Sequence, residues 1–136
     1  MNFYVLAEEE MQAIDVLYAA GKYRHAVYHS CIAIELLLKN KLVQIDPTSA
    51  FLESHDIINI YKTVQEKYKS HKDLQPIVRF CRKYFNESRY PMSGKDLYTM
   101  EFAAQFLQYV KDIKHYIDTE CTATIEDLAT RFTPVE

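Results

Sequence analysis

Only two glycines, Gly21 and Gly94, occur in the 136 residues of this chain. Folds built from β-hairpins need residues with positive φ at many turns, and glycine is the residue that adopts such values without steric cost. Two glycines cannot serve many hairpins, whereas long helices are joined by few turns. The scarcity of glycine therefore predicts an all-α fold, and the length predicts a single domain over residues 1–136.

Apolar residues recur at helical spacing from the start of the chain. A first helix is predicted from Phe3 to Tyr18, and Gly21 is suited to the left-handed conformation that ends it. A second helix, from Lys22 to about Leu42, is apolar on nearly every side. That pattern is typical of a helix at the centre of a bundle.

The third and fourth helices are predicted from their capping residues. After a loop over residues 44–53, Ser54 is predicted as the N-cap of the third helix. Asp73 is predicted to cap the fourth, with Pro76 tolerated in its first turn. Residues 86–96 include proline, serine and glycine, which predicts an irregular connection.

The last elements complete a bundle. A long helix is predicted over residues 99–118, and Thr124 with Asp127 resembles a capping box that opens a short final helix. Long helices with short connections predict an up-and-down antiparallel bundle of four to five helices.

Positive charge is concentrated in one quarter of the chain. Residues 62–95 carry nine Lys/Arg and three acids, a net +6, while the remaining seven bases and sixteen acids give −9. Arg79, Arg82 and Lys83 share the face opposite the apolar stripe of the fourth helix, and Arg89 and Tyr90 follow. Guanidinium groups bind phosphate in bidentate fashion, and an aromatic ring can stack on a base. The segment predicts a nucleotide- or nucleic-acid-binding surface, with an ordinary solvated helix face as the alternative.

Glu35 is the only formal charge between Ala26 and Leu38. A carboxylate in such an apolar helix must be paired, hydrogen-bonded or protonated. One interpretation is an i,i+4 pair with Lys39 or a hydrogen bond to another helix. The other is a polar residue that lines a cleft.

Histidines and cysteines offer further candidates, none of which predicts a metal or a cofactor. His25 and His29 have the spacing of two metal ligands, but no third ligand is evident nearby. Arg24 and His29 lie five residues apart, a rotation of about 140° on a helix, which predicts that they do not face one cleft. His55 and Asp56 follow Ser54, and Asp56 suits a first helical turn for electrostatic reasons.

Cys31, Cys81 and Cys121 are odd in number and contain no CxxC pair, so neither a disulfide framework nor a zinc knuckle is predicted. They are interpreted as reduced thiols. The three glutamates at positions 8–10 interrupt any signal-peptide core, and no apolar run is long enough for a membrane span. These observations favour a cytoplasmic protein without membrane contact.

Segments of the chain, taken in order, resemble the HEPN domain family (higher eukaryotes and prokaryotes nucleotide-binding). The resemblance is carried by residues 20–39, by Ser54-His55-Asp56-Ile57, and by Arg89-Tyr90-Pro91, and it covers residues 3–120. It implies a bundle of four or five helices that commonly forms a homodimer, an expectation that flanking aromatics such as Tyr109 and Tyr116 support. It also implies a minimal nucleotidyltransferase as partner in a toxin–antitoxin pair.

Many HEPN proteins are metal-independent RNases with an Arg-x4-6-His motif near the last long helix. No histidine follows Arg89 at that spacing. The resemblance therefore implies a nucleotide- or RNA-binding protein that is not itself catalytic. A non-standard RNase using His29 or His55 with Arg89, and a purely structural interaction module, are the alternatives.

Overall fold

A computed structural model describes residues 2–68, 73–90 and 97–121. The five α-helices in these ranges are α1 (Phe3–Ala19), α2 (Tyr23–Ile45), α3 (Ile57–Lys67), α4 (Gln75–Arg89) and α5 (Met100–His115). A 3-10 turn, Ala50–Glu53, precedes α3, and a π-helical turn, Tyr116–Glu120, continues α5. No strand occurs in this part of the chain, so the all-α prediction is confirmed.

Helix α2 is the central helix of the bundle and contacts each of the other four. Its side chains Ala33, Ile34, Leu37 and Leu38 are fully buried. Gly21 has a φ of +74° in the turn that joins α1 to α2, the left-handed conformation that the sequence predicts there. The nearly uniform apolar character of α2 thus reflects partners on all of its sides.

The N-cap of helix α3 lies two residues later than predicted, so Ser54 is not the N-cap. The backbone N–H of Ser54 donates to the carbonyl of Phe51 and closes the 3-10 turn, which leaves Ser54 extended. Asp56 is the N-cap instead, and its Oδ1 accepts from the backbone N–H of Asn59 at 3.2 Å. The preceding turn therefore decides where α3 starts.

Helix α4 differs from prediction at both ends. Its N-cap is Leu74 rather than Asp73, whose Oδ1 accepts from the backbone N–H of Gln75, while Pro76 lies in the first turn as predicted. The helix continues to Arg89, so the prediction of irregular chain from residue 86 was wrong for 86–89. Residues 91–96 and the predicted helix near Thr124 lie outside the described residues.

Two tyrosines named for a dimer interface have different surroundings. Tyr116 is 1% exposed and packs on Tyr61 inside the bundle, so it cannot form an interface between two folded copies. Tyr109 is half-buried and stacks on the 40%-exposed Phe80. None of the helices in the three described ranges has the length and apolar character needed to cross a bilayer.

Candidate functional site

A cavity of about 490 Å³ opens between α2, the start of α3 and α4. We call it the Glu35 cleft, and its lining residues are Cys31, Glu35, His55, Asp56, Ile57, Ile58, Asn59, Cys81, Arg82, Phe85 and Asn86. Charged and amide side chains thus share the cleft with apolar ones. Such a mixture is typical of a cavity that binds a small polar ligand.

The Glu35 carboxylate is almost completely buried and is doubly partnered. Its Oε2 lies 3.3 Å from Lys39 Nζ on the next turn of α2, and the two side chains are 9% and 7% exposed. His55 Nδ1 lies 3.0 Å from the same oxygen. Glu35 therefore makes the i,i+4 pair and the contact to another segment, and it also lines the cleft.

His55 combines a fixed orientation with an accessible ring. A carboxylate only accepts hydrogen bonds, so the hydrogen shared with Glu35 belongs to Nδ1 of His55, and Nε2 is the ring nitrogen that Glu35 does not contact. The His55 side chain is 70% exposed, and its ring packs on that of Phe85 at 5.3 Å between centroids. Buried carboxylate and exposed imidazole together form an arrangement suited to proton transfer.

Asp56 adds a second carboxylate to the cleft. Its Oδ2 accepts from Asn59 Nδ2 at 2.6 Å, and this hydrogen bond, followed by the one from the Asn59 backbone, lowers the pKa of Asp56. The positive charge of Arg82, across the cleft on α4, acts in the same direction with less effect. The cleft therefore holds charges of both signs that face one another.

The predicted basic residues of α4 lie on its exposed side. Arg79, Arg82 and Lys83 are all exposed, and Arg82 also lines the Glu35 cleft. Among the described residues none of the three forms an ion pair with a carboxylate. Lys83 Nζ instead lies 5.3 Å from the centroid of the Tyr84 ring. These cations are therefore available to an external anion.

A smaller cavity, of about 240 Å³, lies between the start of α2 and the end of α4. We call it the Arg24 cavity, and it is lined by Arg24, His25, Tyr28, His29, Ser88 and Arg89. The prediction that Arg24 and His29 would not face one cleft was wrong. The long arginine side chain extends toward α4, so the angle between the two Cβ directions does not decide where its guanidinium lies.

Arg24 joins α2 to α4 at this cavity. Its Nη1 donates to the carbonyl of Ser88 at 2.7 Å and is 3.4 Å from that of Arg89, so it binds carbonyls in the last turn of α4. Ser88 is fully buried beside it. This contact ties the last turn of α4 to the start of α2. Arg89 and Tyr90 are exposed next to it, with Arg89 Cζ 5.0 Å from the Tyr90 ring centroid.

The two histidines of the Arg24 cavity differ in their partners. His29 Nδ1 lies 2.5 Å from Glu10 Oε2 on α1. Burial and then the charges of Arg24, His29 and Lys22 lower the pKa of His25. No cluster of three or more side chains that could hold a metal ion occurs in residues 2–68, 73–90 and 97–121.

The three cysteines are free and buried. Cys31 and Cys81 form part of the lining of the Glu35 cleft. A hydrogen bond to Cys31, together with burial, raises the pKa of Cys81, and burial raises that of Cys121 to about 11. Thiols of this kind are weak nucleophiles.

Several residues that shape the two cavities were missed by the sequence analysis. Asn59 and Asn86 give the Glu35 cleft its amide groups, and Tyr28 and Phe85 lie in contact between the two cavities with ring centroids 5.5 Å apart. Tyr28 and Phe85 are 57 positions apart, and no local pattern signals such a pair. In the sequence, only the polar character of Asn59 and Asn86, each on an amphipathic helix, could have indicated that they line a cleft.

Comparison with family models matches residues 3–120 to the HEPN domain. Comparisons with curated proteins and with solved structures found no match. The matched span contains all five helices, the Glu35 cleft and the Arg24 cavity. The chain therefore belongs to the HEPN domain family.

Proposed function

We propose that this protein binds the phosphate groups of a nucleotide or nucleic acid through the exposed side of α4 and its end, using Arg79, Arg82, Lys83, Arg89 and Tyr90. The observation that carries the proposal is that these cations are exposed without a carboxylate partner among the described residues. Unpaired cations on one helix favour an anionic ligand, because binding phosphates releases the counterions held by a nucleic acid.

The position of Arg82 connects this surface to the Glu35 cleft. Arg82 belongs to both, and the cleft beside it offers the Phe85 ring and the amide of Asn86. A phosphate held by Arg82 would place the attached nucleoside at the mouth of the cleft. The ring and amide groups there are the kinds of side chain that stack on a base and hydrogen-bond to its edges.

Fluorescence anisotropy with labelled single-stranded RNA, DNA and ATP at low salt tests the proposal. We expect salt-sensitive binding, weakened about five- to tenfold by Arg82→Ala, since a hydrogen bond to a charged group contributes on the order of 1 kcal/mol or more. Lys83→Ala has a matched control in Lys111→Ala, an exposed lysine on α5. We expect the first to weaken binding and the second to leave it unchanged.

Two outcomes would overturn the proposal. One is an absence of salt-sensitive binding to all three ligands, and the other is equal binding by wild type, Arg82→Ala and Lys83→Ala. If such a protein formed a stable complex with the product of a co-expressed neighbouring gene, the structural interaction module would be the better description.

We propose further that the protein is a cytoplasmic homodimer that acts with a minimal nucleotidyltransferase and is not itself catalytic, as the family resemblance implies. The free cysteines fit a reducing compartment. Light scattering at tens of micromolar tests the dimer, because an interface of standard size persists at that concentration. A monomer under these conditions would contradict it, and co-expression with a neighbouring nucleotidyltransferase tests the partner.

A second candidate function, metal-independent RNA cleavage, is favoured by one specific observation. The Glu35 carboxylate orients the exposed ring of His55, and Arg82 lines the same cleft as a cation for a phosphate. His55 would act as general acid or base there. The earlier candidate His29 is engaged with Glu10, and Arg89 lies at the other cavity.

Incubation of labelled RNA with the protein in EDTA distinguishes the two functions. If the second is correct, His55→Ala abolishes cleavage, Glu35→Gln reduces it, and His115→Ala, on the exposed side of α5, leaves it unchanged. His29→Ala tests the other histidine. Binding without cleavage by the wild type would leave the first function and remove the second.

A further inference from the structure

The Arg24 cavity is lined mainly by basic side chains. Four of its six lining residues are arginine or histidine, and no carboxylate is among them. One of the lining residues, His29, is hydrogen-bonded to an acid outside the cavity lining, Glu10 of α1. Arg24 donates to the carbonyl of Ser88 through Nη1, and its Nη2 lies 3.4 Å from Nε2 of His25. Neither His25 nor Arg89 has an acidic partner among the described residues.

The pKa of His25 is lowered by burial and by the charges around this cavity. Burial is the largest cause of its lowered pKa, and electrostatic interactions with Arg24, His29 and Lys22 act in the same direction. From α4, Arg89 adds a further positive charge at the same cavity. Protonation of His25 is therefore disfavoured in the free protein, and a bound anion would reverse that preference.

A row of aromatic rings links the Arg24 cavity to the Glu35 cleft. The ring of Tyr28 lies 5.3 Å from that of His29 and 5.5 Å from that of Phe85, and Phe85 lies 5.3 Å from His55. All four rings are exposed or half-buried. Because every nucleobase has a π-face, such a row can stack bases of any sequence.

We propose that the Arg24 cavity is a phosphate-monoester site, in which His25 and Arg89 bind the terminal phosphate of a nucleotide or short oligonucleotide. Tyr28 and Phe85 would then stack the adjoining base or bases, in the direction of the Glu35 cleft. The identity of the ligand rests on the proposed function, but the site itself is separate from the exposed residues Arg79, Arg82 and Lys83.

The spacing along α4 sets the size of ligand that would reach both regions. Arg82 and Arg89 are seven residues apart, about 10 Å along the helix axis at 1.5 Å per residue. A stacked strand advances about 3.4 Å per nucleotide, so about three nucleotides span this distance. A mononucleotide would occupy one region, whereas a 5′-phosphorylated trinucleotide would contact both.

A titration of the full chain with inorganic phosphate, followed by NMR of the histidine ring protons, tests the site directly. We expect a saturable shift of the His25 signals and a rise of the His25 pKa toward or above its ordinary value of 6.5. The signals of His115, on α5, should not respond. His25→Gln should weaken phosphate binding about three- to tenfold without loss of structure, because His25 is exposed. No saturable shift of His25 up to ~50 mM phosphate, far above a millimolar Kd, would overturn the proposal.

Binding of oligonucleotides then tests whether the site prefers a terminal phosphate to a phosphate within the strand. We expect a 5′- or 3′-phosphorylated triribonucleotide to bind more tightly than its dihydroxyl form, and His25→Gln to remove the difference. Phe85→Leu should weaken both, with Tyr109→Leu as the half-buried aromatic control on α5. Equal affinity of the phosphorylated and dihydroxyl forms would contradict the site. Lys83→Ala tests the exposed side of α4 independently, so the site and the proposed function can fail separately.

Discussion

The two cavities beside α4 differ in whether their charged side chains have partners of opposite charge or hydrogen-bonding partners. In the Glu35 cleft each buried or partly buried charge has a partner, with Lys39 and His55 on Glu35 and Asn59 on Asp56. In the Arg24 cavity, cationic side chains from two helices gather without a lining carboxylate. The buried charges of the Glu35 cleft are therefore paired, whereas the basic side chains of the Arg24 cavity have no carboxylate among the lining residues.

This difference separates charges that the fold needs from charges that a ligand can use. A buried ion pair is costly to break because the remaining charge is left in a medium of low dielectric constant. An exposed, unpaired cation costs little and remains free to bind. The contrast implies that substitutions of the paired charges Glu35 and Lys39 act first on stability, whereas those of His25 or Lys83 act on binding.

The largest effect is expected for Lys39→Met. This change leaves the buried Glu35 carboxylate with His55 as its remaining hydrogen-bonding partner, and we expect the free energy of unfolding to fall by about 3 kcal/mol. Urea denaturation at neutral pH measures it.

A double variant, Glu35→Leu with Lys39→Met, is the matched control for this pair. Replacing both charges by apolar groups of similar volume removes the uncompensated charge, so we expect stability near that of the wild type. A loss of less than about 0.5 kcal/mol in Lys39→Met alone would mean that the cleft holds its charges no more tightly than an exposed surface does.

Arg24→Ala comes next, at the other end of α4. Loss of the guanidinium leaves the carbonyl of Ser88, a buried residue, without this donor, and we expect a cost of about 2 kcal/mol by the same denaturation measurement. Arg24→Lys keeps the charge but not the planar group, so an intermediate loss is expected. An unchanged stability in Arg24→Ala would place Arg24 among the ligand-binding cations rather than the structural ones.

The smallest effect is expected at Asp56, the N-cap of α3, where Asp56→Ala should cost about 1 kcal/mol at neutral pH. Hydrogen bonds from Asn59 lower the pKa of Asp56 below its ordinary 3.8. The stability from its charge is therefore complete well above pH 3.8 and is lost as the pH falls through the lower, folded-state pKa.

Asp56→Asn separates capping from charge, because the amide oxygen still accepts the hydrogen bond but does not titrate. Urea denaturation at pH 5 and at pH 3 should show the advantage of wild type over Asp56→Asn becoming smaller at the lower pH. An advantage that grows on acidification would contradict the assigned direction of the pKa.

The helices were predictable from sequence wherever local chemistry decides them. Periodicity located all five, and Gly21 and Pro76 have the positions expected of them. The wrong predictions concern helix boundaries that depend on contacts with residues outside the helix. Ser54 is used by the turn before α3, and residues 86–89 stay helical beside Arg24 of α2.

The candidate site was predictable only in part. The exposed cations of α4 and the polar role of Glu35 follow from single helices, because a lone charge in an apolar helix and a basic stripe are both visible in one stretch of sequence. Two contacts are not visible in one stretch of sequence: that of Glu35 with His55, twenty positions away, and that of Tyr28 with Phe85. Helical rotation alone wrongly predicts that Arg24 and His29 do not share a cavity, because the long arginine side chain reaches well away from the direction of its Cβ.

The sequence by itself determined the helical class, the central place of α2, the accumulation of positive charge on α4 and the similarity to HEPN proteins. Each of these follows from spacing or composition within a short stretch of chain. The tertiary structure alone decided which charges are paired, that two cavities flank α4, and that aromatic rings connect them. Those features require side chains from α2, α4 and the start of α3 to meet, and the meeting point depends on how the helices pack, which no local pattern encodes.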